Sequence, residues 1–209
     1  MSTRRYEQRV RADQAARTRQ RILEAVIERL RAAPTEPVAV ERIGAIAGVA
    51  RSTVYAIFGS RAGLFNAVGA YIFERAGYRE LVDAARRPDA RGSLRAGIRA
   101  ATAIFAGDRD VVRVLYSMAQ LDEQAVGGAV GRWEAERGAG MARLARRLRD
   151  EGELRAGVSA EQAEHTLWML TSFESFDLLF TGRRLPADHV ATLLIAAAER
   201  SVCAERPSG

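Results

Sequence analysis

Lysine is absent from this 209-residue chain, so all 32 of its basic side chains are arginine. Cysteine is nearly absent too. Cys203 stands alone, which excludes an intrachain disulfide and fits a reducing cytoplasm; beside Arg200 and Glu205, with no histidine base near in sequence, it reads as a structural cysteine. The two histidines, His165 and His189, have no ligand-spaced partner beyond Glu161, so no metal site is expected. The sequence has no Walker-type or dinucleotide glycine loop and no nucleophile paired with a base. Neither a cofactor nor an enzyme activity is therefore expected. No run of ~18 apolar residues is present, so no membrane partner is expected. Glu7 and Asp13 interrupt the arginine-rich start and no apolar stretch follows it, which speaks against a secretory signal and for the cytoplasm. Period-2 alternation is missing as well, so no sheet is expected.

What is present is a foldable composition, 48% hydrophobic and 28% charged, with an uneven distribution of charge. Residues 1–61 hold twelve arginines against six acids, whereas residues 62–209 hold twenty of each. The whole net charge of +6 thus lies in the first third. Such a layout suits a polyanion-binding module on a neutral body; a solvated tail with surface arginines is the other reading.

The periodicity predicts an all-α fold of about nine helices. Residues 1–14, with Arg4, Arg5, Arg9 and Arg11, read as a loose basic arm. A helix from about residue 18 carries Ile22, Leu23, Val26, Ile27 and Leu30 on one stripe and ends at Pro34 and Pro37. Short helices follow at about 40–47 and 51–58, then a long one at 60–86 with Ser60 as its cap. Further helices are expected at about 92–106, 108–121, 126–151, 159–181 and 186–204. Ser159 and Gln162 have the spacing of a capping box. The expected division is an arm at 1–14, a DNA-binding domain at 15–60 and an effector-binding and dimerisation domain at 61–209.

The stretch from Val40 to Phe58 is the most informative. Two short helices crossing closely need small residues at their approach, which Gly44 and Ala47 supply, and a turn residue tolerant of positive φ, which Gly48 supplies. Ile43, Val49, Val54 and Phe58 can then face inward. Arg51, Ser52, Thr53, Tyr55 and Ala56 are left around the outer face and start of the second helix, suited to a major groove. Arg42, on the first helix, is expected to contact DNA with them.

The run Ile43-x-x-x-Ala47-Gly48-Val49-x-x-x-Thr53-Val54-Tyr55-x-x-Phe58-x-Ser60-Arg61-x-x-Leu64 resembles the DNA-binding signature of the tetracycline-repressor (TetR) family. The resemblance covers roughly residues 18–65. It implies an all-α homodimer with an N-terminal helix-turn-helix and a C-terminal domain that binds an effector. It makes 51–58 the recognition helix on a palindromic double-stranded operator, and it assigns Tyr55 and Arg61 to phosphates. Three positions depart from the family pattern. Ala50 replaces the usual Ser or Thr cap, Gly44 the usual Ala, and Ala56-Ile57 a commoner polar-aromatic pair.

In the remainder, Leu167–Phe180 is apolar on nearly every face, and Val190, Leu193, Leu194, Ala197, Ser201 and Val202 form a seam on the last helix. Together they suggest a homodimer through helices 159–181 and 186–204, to be disrupted by Leu194→Asp or Ala197→Asp. Phe105, Tyr116, Met118, Trp133, Trp168 and Phe176 are the expected lining for a small, largely apolar effector; for any one of them plain core is the other reading. Asp177, with Glu174 three positions before it, adds either an internal pairing with arginine or a partner for a cationic ligand group.

Overall fold

A computed structural model describes residues 2–205, and within them all side chains except those of residues 2–5, 7, 76, 123 and 125. Eleven α-helices follow one another: α1 Ser2–Ala32, α2 Val40–Ala47, α3 Arg51–Phe58, α4 Arg61–Ala76, α5 Tyr78–Ala85, α6 Ala90–Gly107, α7 Arg109–Leu121, α8 Gly128–Asp150, α9 Ala160–Leu170, α10 Phe173–Phe180 and α11 Ala187–Val202. A π-turn, Glu123–Gly127, precedes α8. No strand occurs among the described residues; the only extended pairing there is an isolated bridge between Leu154 and Cys203.

The all-α class therefore stands, with eleven helices where about nine were expected. Two expected helices are each broken once. The 60–86 helix divides at Gly77, which takes φ 115°, a left-handed conformation that interrupts the helix between α4 and α5. The 159–181 helix divides at Thr171-Ser172, where Ser172 Oγ accepts from the Ser175 amide at 3.1 Å and starts α10 afresh. Periodicity alone cannot show such breaks, because the apolar stripe continues across them. At the other end, residues 2–14, expected as a loose arm, continue α1. The segment has no proline or glycine and is rich in good helix formers, so nothing in it stops the helix.

The chain forms two compact units. The first comprises Met1–Ile72 and Asp110–Val130, so the expected boundary at residues 60–61 falls inside it. Its core holds the predicted stripe of α1, with Ile22, Leu23, Val26, Ile27 and Leu30 all buried, and α1 packs on α2. Leu64, Phe65 and Val68 of α4 and Val111, Val112, Val114 and Leu115 of α7 are buried as well.

The second unit comprises Phe73–Arg109 and Gly131–Gly209. In it α6 packs against α5 and α11, and α11 against α9 and α10. Three of its helix starts have side-chain caps, α10 among them. Asp89 accepts from the Gly92 amide at 2.6 Å, and Ser159 and Gln162 form the reciprocal capping box expected from their spacing. Cys203 is buried there, and that burial pushes its thiol pKa up despite the nearby Arg91.

Candidate nucleic-acid interface

The helix-turn-helix is built as its residues dictate. Gly48 sits at φ 65°, ψ 39°, the left-handed conformation that closes α2, and the Val49 amide donates to Gly44 O at 2.9 Å. A Cβ on Gly44 would lie 2.8 Å from Val49 O. The turn thus returns tightly over α2, and that accounts for glycine where the family pattern has alanine. Ile43, Ala47 and Val54 are buried, while Val49 and Phe58 are half-buried at the edge of the core. The outer surface carries Arg42, Arg51, Ser52 and Ala56 as exposed residues, with Thr53 and Tyr55 half-buried. All the residues assigned to DNA on α2 and α3 are accessible.

Ala50 gives α3 no side-chain cap, as its methyl group requires, and α2 is likewise uncapped at Ala39. By contrast, Ser60 Oγ accepts from the Gly63 amide at 2.9 Å and caps α4. Gly63 is a residue the sequence reading missed. A Cβ there would sit 2.0 Å from Phe58 O, so the first turn of α4 lies directly on the end of α3.

Two further residues, Glu41 and Asp122 (the latter expected only as an ordinary acid at a helix start), have partners that spacing does not show, because those partners are remote in sequence or on another helix. Glu41 on α2 meets Arg51 on α3 at 2.7 Å, and the Arg51 guanidinium lies 5.3 Å from the centroid of the Tyr55 ring. A side-chain hydrogen bond with Tyr55, then the charge of Glu41, raise the Arg51 pKa. Asp122, just beyond α7, holds Arg61 through an ion pair of 2.5 Å, and Arg61 also stands 5.4 Å from the Phe65 ring centroid. The arginine assigned to a phosphate already has an anionic partner.

The residues expected to bind an effector do not all gather. Phe105 and Phe176 do meet, with ring centroids 5.6 Å apart, and Phe173 and Phe180 extend the cluster. Beside them is a cleft lined by Ile98, Thr102, Phe105, Thr171, Phe176 and Leu194, about 190 Å³ including its mouth. Trp133 lies edge-on to Phe73 at 4.9 Å instead. Trp168 is 44% exposed under the Arg137 guanidinium, 4.8 Å away. Tyr116 and Met118 are half-buried members of the first unit. Asp177 is buried against Arg109, with contacts of 2.6 and 3.1 Å, and accepts from Thr181 at 2.6 Å. Its charge is met inside its own unit, and Glu174 is exposed, so the internal pairing is the alternative observed.

The seam of the last helix is also redistributed. Leu194 and Val190 point inward, and the exposed apolar residues of α9, α10 and α11 are Trp168, Met169, Leu178 and Leu193. Leu194→Asp would therefore place a charge in the core of the second unit, and Leu193 is the position on the outer face.

No protein-family model matches the chain, and no curated protein matches it by sequence. Solved structures do match it. NalD, the secondary repressor of the MexAB-OprM multidrug efflux pump in Pseudomonas aeruginosa, is similar at 21% identity and TM-score 0.69, over 91% of this chain and 98% of that one. A TetR family transcription regulator from Marinobacter aquaeolei VT8 is similar at 17% identity and TM-score 0.65, over 93% and 99%. The ketosteroid transcriptional regulator KstR2 of Mycobacterium tuberculosis is similar at 16% identity and TM-score 0.62, over 90% and 95%. All-α over its described residues and similar at these TM-scores, the chain has the fold of the TetR-family transcription regulators.

Proposed function

We propose that the chain is a cytoplasmic, homodimeric, sequence-specific DNA-binding transcriptional regulator without enzyme activity. The observation that carries this reading is the tight turn at Gly44 and Gly48, which presents Arg51, Ser52, Thr53, Tyr55 and Ala56 on one accessible helix face. Residues 15–60 are the DNA-binding domain in this reading. Arg42 and Arg61 supply positive charge, with Tyr55 and Arg61 directed to phosphates and Arg51 to the choice of operator. Arg9 and Arg11, exposed on α1, are further basic residues that could track the DNA backbone. The exposed Met169, Leu178 and Leu193 support a dimer built on α9, α10 and α11, within the segments 159–181 and 186–204. Two-fold symmetry then requires a palindromic operator with half-sites about 34–36 Å apart, or a multiple of that.

Repression relieved by a small, largely apolar effector is part of the same proposal. The Phe105–Phe173–Phe176 cluster beside the cleft and the names of two similar structures, a multidrug-pump repressor and a ketosteroid regulator, support it. A regulator with no effector is the second reading. It is favoured by the size of the cleft, whose 190 Å³ counts open solvent at the mouth and even so falls short of the ~300 Å³ at which drug-sized pockets begin.

Selection of bound sites from random duplex DNA tests the whole. A palindromic consensus bound with steep salt dependence is expected, and affinity indifferent to salt would refute the reading. Screening apolar compounds for release of that operator then separates the effector-controlled regulator from the effector-free one.

A further inference from the structure

Glu41 is out of place on a surface meant for DNA. It stands 58% exposed on the same outer face as Arg51, where a carboxylate repels every phosphate that approaches. It is not simply a charge turned to solvent, since its carboxylate lies 2.7 Å from Arg51 across the turn between α2 and α3. Tyr55, one helical turn after Arg51, lies beneath the guanidinium at 5.3 Å. Arg51 is therefore gripped from two sides while its own side chain stays 59% exposed. An arginine without such neighbours swings on a long, flexible stem and pairs with whichever phosphate is nearest, a contact that carries no sequence information. Neutralised by a carboxylate and set over an aromatic ring, the same side chain gives up part of that nonspecific attraction. In return it presents a fixed plane of donors, and a fixed plane is what bidentate bonding to guanine O6 and N7 requires.

Resting on the proposed DNA-binding function, we propose that Glu41 is a specificity-determining residue: paired with Arg51 at 2.7 Å, it positions that guanidinium over Tyr55 for a base edge and withholds it from phosphates. Because the pair is exposed, it contributes little to folding, and its effect is concentrated in recognition.

The experiment uses the full chain as wild type, Glu41→Gln, Arg51→Ala and the double variant. Sites are selected from random duplex DNA, and binding to the selected site and to unrelated duplex is then titrated against salt. For Glu41→Gln, affinity for unrelated duplex should rise and its salt slope steepen by roughly 0.9, as one more cation becomes available to phosphate. The preference at the base read by Arg51 should fall by about fivefold or more, the lower end of what one bidentate contact discriminates. In the Arg51→Ala background, Glu41→Gln should leave base preference unchanged. Unaltered preference and slope in Glu41→Gln, while the wild type selects a site, would overturn the positioning role alone. So would a slope change of the same size in both backgrounds, since Glu41 would then act only as a local charge. A drop in melting temperature with no change in preference would make the pair a structural staple and overturn it too. A wild type that selects no site would remove the DNA-binding reading first, and this inference with it.

Discussion

Arginine does different work in the two units. In the second it clasps the fold. Arg91 is buried, donates to Glu153 and to the Ala204 carbonyl, and so ties α6 to the segment after α8 and to the end of the chain. Arg147 reaches the Ala85 and Arg87 carbonyls and Ser93 Oγ at 2.9–3.1 Å, and Arg109 grips Asp177. In the first unit, Arg51 keeps 59% of its side chain exposed, more than Arg91 or Arg109, and Arg51 and Arg61 each have a carboxylate beside them, Glu41 and Asp122. With no lysine in the chain, one residue type serves the observed clasps and the proposed DNA contacts. The planar fork satisfies several carbonyl and carboxylate oxygens at once in the second unit, and the same fork would suit phosphates and base edges in the proposed DNA-binding domain. An arginine count therefore does not measure DNA contact; the partner does.

Helix starts vary within each unit. Asp89, Ser159 and Ser172 cap α6, α9 and α10, while α5 and α11 begin at Gly77 and Pro186 without a side-chain cap. Ser60 caps α4, while α2 and α3 begin at Ala39 and Ala50 without one.

The largest effect expected on this contrast is at Arg91. Arg91→Met should destabilise the protein by about 3 kcal/mol, because Glu153 and a carbonyl oxygen lose their donor in a largely buried place. Chemical denaturation measures this, and the folded fraction should keep its DNA affinity. A variant as stable as the wild type would mean that the body arginines are ornaments of the surface and not clasps. Next in size is Gly63→Ala, where a methyl group meets Phe58 O at 2.0 Å. A loss of about 2 kcal/mol is expected from overpacking, read as a fall in the urea midpoint. A neutral result would show that α3 and α4 can part without cost.

Asp122→Asn should leave stability nearly unchanged and strengthen DNA binding, since it releases Arg61 to a phosphate. The salt slope should steepen by roughly 0.9. Weaker binding in this variant would mean that Asp122 places Arg61 for the phosphate and does not compete with it. The smallest change is Ala50→Ser, which supplies the missing cap and should add about 1 kcal/mol. Differential scanning calorimetry is suited to it, and no gain would indicate that the α3 amides already have a partner.

Much of this was legible because it is local. The five apolar positions of α1 return on one helical face and are buried; Ser159 and Gln162 cap α9; Gly48 turns the chain. Each depends on residues within one or two turns of each other, so spacing carries the information. The accessible face of α3 follows from the same arithmetic. Residues 2–14 were misjudged for a different reason. Their polarity suggested a tether, but helix formation there needs only the absence of a breaker.

The sequence by itself determined the helical class, the helix-turn-helix register and the concentration of net charge in residues 1–61, all of which follow from short-range periodicity and counting. Only the tertiary structure decided that Arg61 meets Asp122 sixty-one positions away, that Asp177 is neutralised by Arg109, and that Leu194 faces inward while Leu193 faces out. It also showed that Gly44 and Gly63 are indispensable, because a Cβ at either would meet a carbonyl that the adjoining turn folds back onto it, Val49 O or Phe58 O. Pairings between distant segments depend on how those segments pack, and a linear pattern of apolar and charged residues leaves many packings open until one core is filled.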